Sequence, residues 1–207
     1  MGLERDPERP QWLATLRPFM RQREAVEQCE LCSAALAPTH QHLIEPATRQ
    51  IVCSCDACAI LFSGDATTRY RRIPRRVQYL PEFQLSDEQW AGLLIPIQIA
   101  FFFHSSTANR VIALYPSPAG AIESSLSLTE WDTIVADNPV LRLLERDVEA
   151  LLVNRTGATR DYYHAPIDEC FKLVGLIRTY WAGLSGGTEV WRELGTYFDS
   201  LKERSYA

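Results

Sequence analysis

Ile95-Pro-Ile-Gln-Ile-Ala-Phe-Phe-Phe103, Ser105-Ser-Thr-Ala-Asn109 and Arg110-Val-Ile-Ala-Leu-Tyr115 form the stretch on which the fold turns. Ile95, Ile97, Ile99, Phe101 and Phe103 occupy alternate positions. That is the period of a strand with one apolar face. A short polar loop and a second apolar run then predict a hairpin, and with it an antiparallel sheet. Upstream, Val77-Gln-Tyr-Leu-Pro-Glu-Phe83 predicts an edge strand, where Pro81 is tolerated. Ser86-Asp-Glu-Gln89 carries the capping-box pattern and predicts a helix start. Downstream, Val148 to Val153 predicts a strand that is apolar except at Glu149, and Tyr162-Tyr-His-Ala165 predicts another after a turn at Thr156-Gly157.

Helices are expected over Thr129 to Ala136, over Pro139 to Leu144, and from Ile167 with Asp168 as N-cap. Phe171, Val174, Ile177 and Trp181 form one stripe of that third helix, which Gly183 to Gly187 should stop. Thr188 should cap a last helix with Val190, Trp191, Leu194, Tyr197, Phe198 and Leu201 on its apolar face. The expected fold class is α+β, a largely antiparallel sheet packed with helices.

A small treble-clef-like zinc-binding module should precede that domain. Cys29-Glu-Leu-Cys32 and Cys53-Ser-Cys55-Asp-Ala-Cys58 place five of the six cysteines within thirty residues. Thiolates at such spacings commonly hold a metal. Between them, His40 to Glu45 and Gln50 to Cys53 read as a hairpin with a turn at Pro46 to Arg49, and Asp56 to Phe62 as a short helix. Twenty-two residues separate Cys32 from Cys55, which leaves room for the hairpin. The expected ligands are Cys29, Cys32, Cys55 and Cys58, holding structural Zn. Cys53 could replace Cys55, or stand beside the site. It also keeps open an iron–sulfur cluster, which takes four thiolates. His40 and His42 share a strand face. The expectation is that they are exposed strand residues; the alternative is that they supply a ligand or begin a second site.

The organisation that follows is a tail and short apolar docking segment over 1–28, the Cys-rich module over 29–66, an Arg-rich connector over 67–76, and the α+β domain over 77–207. Trp12, Leu13, Leu16, Phe19 and Met20 carry the helical spacing of the docking segment. Arg69, Arg71, Arg72, Arg75 and Arg76 in the connector invite a zinc-dependent nucleic-acid-binding role, through phosphate contacts. The net charge of −5 argues against a dedicated polyanion binder. The longest apolar stretch, Ala91 to Phe103, is broken by Pro96 and Gln98 and is too short for a membrane span. The charged amino terminus lacks the apolar run of a signal peptide. A cytoplasmic location follows, where clustered cysteines favour metal over disulfide.

Other candidates have plainer explanations. Tyr115-Pro-Ser-Pro-Ala-Gly120 lacks the lysine of a phosphate loop and reads as a rigid loop at the end of the sheet. Nothing in the spacing of Ser117, Glu123 and His164 supports a catalytic set. Cys170 reads as a packed core thiol, and Ser185-Gly-Gly187 as a helix stop.

Several stretches together are similar to an uncharacterised family of actinobacterial and related proteins. They are Cys29-Glu-Leu-Cys32, His40-Gln-His-Leu43, Cys53-Ser-Cys-Asp-Ala-Cys58, Tyr115-Pro-Ser-Pro-Ala-Gly120, Asp147-Val-Glu-Ala-Leu-Leu-Val-Asn154, Pro166-Ile-Asp168 and Gly183-Leu-Ser-Gly-Gly187. The likeness spans nearly the whole chain. Genes of that family commonly lie beside nickel–iron hydrogenases that oxidise trace hydrogen. The resemblance implies an accessory role, with a hydrogenase subunit or maturation factor as the protein partner, and it supplies no catalytic residues. The expected function is a non-enzymatic metal-binding accessory protein. An iron–sulfur electron-transfer protein and the nucleic-acid-binding regulator are the alternatives.

Overall fold

The computed structural model describes residues 27–63, 68–124, 130–183 and 186–206. Trp12, Leu13, Leu16, Phe19, Met20, Thr129 and Ser185 lie outside them.

Among the described residues, two sheets carry the fold. The larger has six strands in the order β4-β9-β8-β5-β6-β7. They are β4 (Gln78–Tyr79), β5 (Ile99–Ser105), β6 (Arg110–Ser117), β7 (Gly120–Glu123), β8 (Glu149–Asn154) and β9 (Asp161–Pro166). Each ladder is antiparallel. The hairpin at its centre pairs Phe101 with Leu114, Phe103 with Ile112 and Ser105 with Arg110.

The alternation of β5 decides its burial. Ile99, Phe101 and Phe103 enter one core, together with Ile112, Leu114, Val148, Ala150, Leu152, Tyr163 and Ala165. The intervening Ala100 and Phe102 enter a second core, with Ala113, Leu151, Val153 and Tyr162. The sheet is thus buried on both faces. Ile95 precedes the strand and packs in the second core, on the side opposite Ile99. Pro96 separates it from the strand: without an N–H, proline cannot join the ladder.

Two long helices cover the first core. They are α4 (Ile167–Tyr180), which buries Cys170, Leu173, Val174 and Ile177, and α5 (Gly187–Glu203), which buries Val190, Leu194, Tyr197, Phe198 and Leu201. Short elements cover the second: α2 (Asp87–Gly92), α3 (Trp131–Asp137) and a 3-10 turn over Pro139–Leu143. The capping box at α2 forms in full, with Ser86 Oγ accepting from Gln89 N at 3.0 Å and Gln89 Oε1 accepting from Ser86 N at 2.9 Å.

Both expected caps of the long helices differ from the sequence reading. Pro166 is the N-cap of α4, and Asp168 lies inside the first turn. Its carboxylate is turned to His42. Gly186 is the N-cap of α5, in the left-handed region at φ +87°. A Cβ there would come within 2.9 Å of Val190 Cγ1 and 3.2 Å of the Trp181 ring, so the position demands glycine. Thr188 consequently lies inside the helix, and Trp191 is half exposed at its surface. The expected rigid loop at Tyr115 to Gly120 is instead the turn of a hairpin: β6 runs through Ser117, and Ser117 pairs with Gly120 of β7.

The smaller sheet has the order β2-β1-β3, with β1 (Gln41–Glu45), β2 (Gln50–Ser54) and β3 (Arg71–Arg72). It is followed after β2 by helix α1 (Asp56–Phe62). β3 comes from the arginine-rich stretch and pairs Leu43 with Arg72. Ile44 and Ile73 reach the main core, so this sheet packs directly on the larger one.

Candidate metal centre

Four cysteines meet where the smaller sheet joins its helix. Cys29 begins a tight turn: its N–H donates to Ala34 O at 2.8 Å, and its carbonyl accepts from Ser33 N at 2.7 Å. Ser33 takes the left-handed conformation, φ +62°, which reverses the chain after Cys32. On the other side, β2 delivers Cys55 to the N-cap of α1, where its sulfur accepts from Cys58 N at 3.5 Å. One helical turn then brings Cys58 beside Cys55. The sulfurs of Cys29, Cys32, Cys55 and Cys58 all lie within 4.8 Å of one another. Cys32 and Cys55 are 3.7 Å apart. Cys29 and Cys58 are buried, whereas Cys32 is exposed.

Crowding sets the protonation of these thiols. Burial pushes Cys29 up, but backbone hydrogen bonds from Cys55, Leu31 and Cys32 outweigh it and bring that thiol down to about 6. Burial, followed by the sulfurs of Cys32, Cys55 and Cys29, pushes Cys58 up to about 12. One thiolate therefore forms readily, and it hinders the ionisation of its neighbour. A bound cation removes that conflict, since it takes the place of the protons. Four sulfur donors around one point can hold a metal ion.

Cys53 falls in a second group. Its sulfur and one ring nitrogen each of His40 and His42 lie within 4.8 Å of one another. Neither histidine is the exposed strand residue expected from sequence. The His40 side chain is 7% exposed and that of His42 32%. His40 Nδ1 donates to Ala37 O at 2.9 Å, and His42 Nδ1 donates to Asp168 Oδ2 at 2.7 Å. The Asp168 carboxylate holds the His42 imidazole above its ordinary value against the opposing effect of burial. Asp168 is the residue the sequence does not connect to this group. It lies 126 positions from His42, and no local pattern links them.

Three of the five connector arginines are engaged. Arg69 Nε donates to Glu45 at 2.7 Å, Arg71 reaches Glu145 at 2.7 Å and Asp147 at 3.4 Å, and Arg72 Nε donates to Gln41 at 3.0 Å. Ser117, Glu123 and His164 each serve elsewhere: Ser117 Oγ donates to Gly120 O, Glu123 receives Arg49 and Arg110, and His164 sits 2.7 Å from Glu149. Cys170 is fully buried, and burial raises its thiol well above the ordinary range. An apolar cavity of ≈ 480 Å³ lies between β6 and the long helices, lined by Ile97, Tyr115, Pro116, Trp181, Trp191 and Leu194 among others. Among the described residues, no carboxylate, histidine or cysteine lines it.

Fold and site together define the class: an α+β protein with antiparallel sheets and a group of four cysteines that could hold a metal ion. The chain belongs to DUF5947, a family of unknown function, whose model matches residues 28–205 of the 207. No curated protein and no solved structure matches it. Among the described residues, no helix is long and apolar enough to cross a membrane.

Proposed function

We propose that the chain is a non-enzymatic, zinc-binding accessory protein whose cysteine module is a docking platform for a protein partner. The observation that carries this reading is the spacing of the four sulfurs, all within 4.8 Å of one another. A tetrahedron with zinc–sulfur arms of about 2.3 Å has edges of about 3.8 Å. The Cys32–Cys55 separation of 3.7 Å fits that edge. A two-iron cluster would spread its two thiolate pairs further apart, by the separation of its irons. Four protein ligands leave no position for water, so such a zinc ion is structural.

The docking face is the helix that follows. Ile60, Leu61 and Phe62 of α1 are 70%, 73% and 45% exposed. Three consecutive large apolar residues on a metal-stapled helix suit a protein partner. The partner we propose is a subunit or maturation factor of a nickel–iron hydrogenase, on the strength of the family resemblance given above. The nucleic-acid reading is disfavoured because Arg69, Arg71 and Arg72 are occupied by Glu45, Glu145, Asp147 and Gln41.

Metal analysis and a visible spectrum of anaerobically purified protein test the first part. Colourless protein with zinc in the four-cysteine group is expected, and iron with visible absorbance would replace this reading by electron transfer. Co-purification with the hydrogenase tests the second. Leu61→Asp should abolish it while leaving zinc content unchanged. Unaltered hydrogenase assembly and activity after deletion of the gene would end the accessory reading.

A further inference from the structure

We propose a second metal site, built by His40, His42 and Cys53, which holds a transition ion of the zinc–copper class with one coordination position open. It does not depend on the four-cysteine group being zinc. Strand geometry makes the constellation. His42 in β1 stands directly opposite Cys53 in β2, as a cross-strand pair. Directly opposed residues project to the same face of an antiparallel ladder. His40 precedes β1 and lies two positions from His42, so it shares that face. The two rings meet edge to face with centroids 4.9 Å apart. The three donors all come within 4.8 Å of one another.

The surroundings are those of ligands rather than of packing residues. Both histidines have Nδ1 engaged by an oxygen acceptor, Ala37 O for His40 and the Asp168 carboxylate for His42. In the neutral rings this places the proton on Nδ1 and the lone pair on Nε2, where an incoming cation would displace any second proton. A histidine donating through its other nitrogen to a carboxylate or carbonyl is the usual support of a metal-bound imidazole. The Nε2 atom of His40 is buried and has no hydrogen-bond partner among the described residues. A buried acceptor without a partner is unfavourable, and a cation would satisfy it. A packing role explains the ring contact. It explains neither the orphaned nitrogen nor the carboxylate reaching across from α4.

Two imidazoles and a thiolate select a late first-row ion over calcium or magnesium, which prefer oxygen. Three protein ligands leave a fourth position for water or an exogenous ligand. The two groups are adjacent in the chain, with only Ser54 between Cys53 and Cys55. A closed site and an open one would then share one module. The closed site would hold the hairpin, and the open one would accept and release its ion.

The test is titration of reduced protein carrying one equivalent of zinc, in the four-cysteine group, with Co²⁺. Wild-type protein should take up a further equivalent, with sulfur-to-cobalt charge-transfer and d–d absorbance. Cys53→Ser should abolish the charge-transfer band, and His42→Gln should abolish uptake, while zinc in the four-cysteine group stays constant. Asp168→Asn touches no ion and should weaken the second site by about 10–100-fold. If His42→Gln fails to fold, Cys53→Ser and Asp168→Asn still decide the matter. The proposal is overturned if wild-type protein takes up no further equivalent, or if Cys53→Ser keeps the charge-transfer band. Loss of zinc with the cobalt signal intact would count against the structural zinc reading instead.

Discussion

If the four-cysteine group holds zinc, as proposed, removing that ion should unfold one corner of the protein and leave the rest folded. The segment at risk is the turn over residues 27–36, closed by the bridge between Gln28 and Ala35. Ordering that backbone costs about 15 kcal/mol, at about 1.5 kcal/mol per residue. Among the described residues its apolar return is small: the cluster buries Leu36, Cys29 and Cys58, with Leu31 partly buried against them. Those three side chains contribute about 5 kcal/mol. Four backbone bonds, from Cys29 N, Glu30 N, Ser33 N and Leu36 N, hold the segment. They add about 4 kcal/mol in total, leaving a shortfall of about 6 kcal/mol. A structural zinc ion contributes about 10–16 kcal/mol in isolated modules. The loaded turn is therefore held by about 4–10 kcal/mol, enough to slow amide exchange by about a thousandfold or more. Hydrogen exchange read by mass spectrometry, before and after chelation under reducing conditions, measures this. Peptides covering 27–36 should lose protection, and those covering β8 and β9 should keep it. Protection of 27–36 that survives metal removal would refute the reasoning, as would loss of β8 protection in the same step.

Other consequences follow from the larger sheet. Arg155, whose side chain is 2% exposed, donates to Leu85 O at 2.8 Å and Tyr162 Oη at 3.0 Å and pairs with Asp87. Arg155→Met strands the buried Tyr162 Oη and the part-buried Leu85 O and should lower stability by about 2–4 kcal/mol in a denaturant titration. Phe102 stacks on Trp131 at 5.3 Å and meets Trp90 edge to face. Phe102→Ala should cost about 3–5 kcal/mol by the same measurement, without changing metal content. Burial would raise the Glu149 carboxyl, but His164 and the Glu145 N–H outweigh it and hold it below the ordinary range. A carboxylate lowered in the folded state adds stability above its unfolded value, and that stability is lost as pH falls through its folded value. Glu149→Gln should therefore be less stable than wild type at neutral pH, and denaturation midpoints should converge in acid. A gap independent of pH would show that Glu149 acts through shape alone.

The elements most legible in the sequence are those whose cause is local. The β5–β6 hairpin follows from alternation and a short loop, and the α2 capping box from Ser86 and Gln89 three residues apart. Burial of both faces of β5 was beyond a period-of-two reading, because Ala100 and Phe102 mark the second face only once helices are known to cover it. Asp168 looked like a cap because an acidic residue before an apolar run usually is one. Its partner is His42, across the fold, and tertiary contact overrode local habit. Gly186 displaced Thr188 for a reason that only the packing of Val190 and Trp181 discloses. The arginines of β3 read as a connector since two residues of strand leave no period to detect. Which cysteines come together was suggested by spacing. The separation of Cys53 from them depends on the β1–β2 register, which fixes it opposite His42.

The six-stranded sheet ends on two short edges, and this bears on self-association. β4 has two residues, and its outer side is taken by the end of the described chain, where Tyr79 N donates to Tyr206 O at 2.8 Å and Tyr206 N to Val77 O at 3.3 Å. β7 has four residues, and its last, Glu123, is held by Arg49 and Arg110. Strand-by-strand addition of a second molecule needs a long row of unpaired amides. Among the described residues, neither edge provides one. A sheet whose central strands are nearly continuous in Val, Leu and Phe is thereby kept from templating its own aggregation.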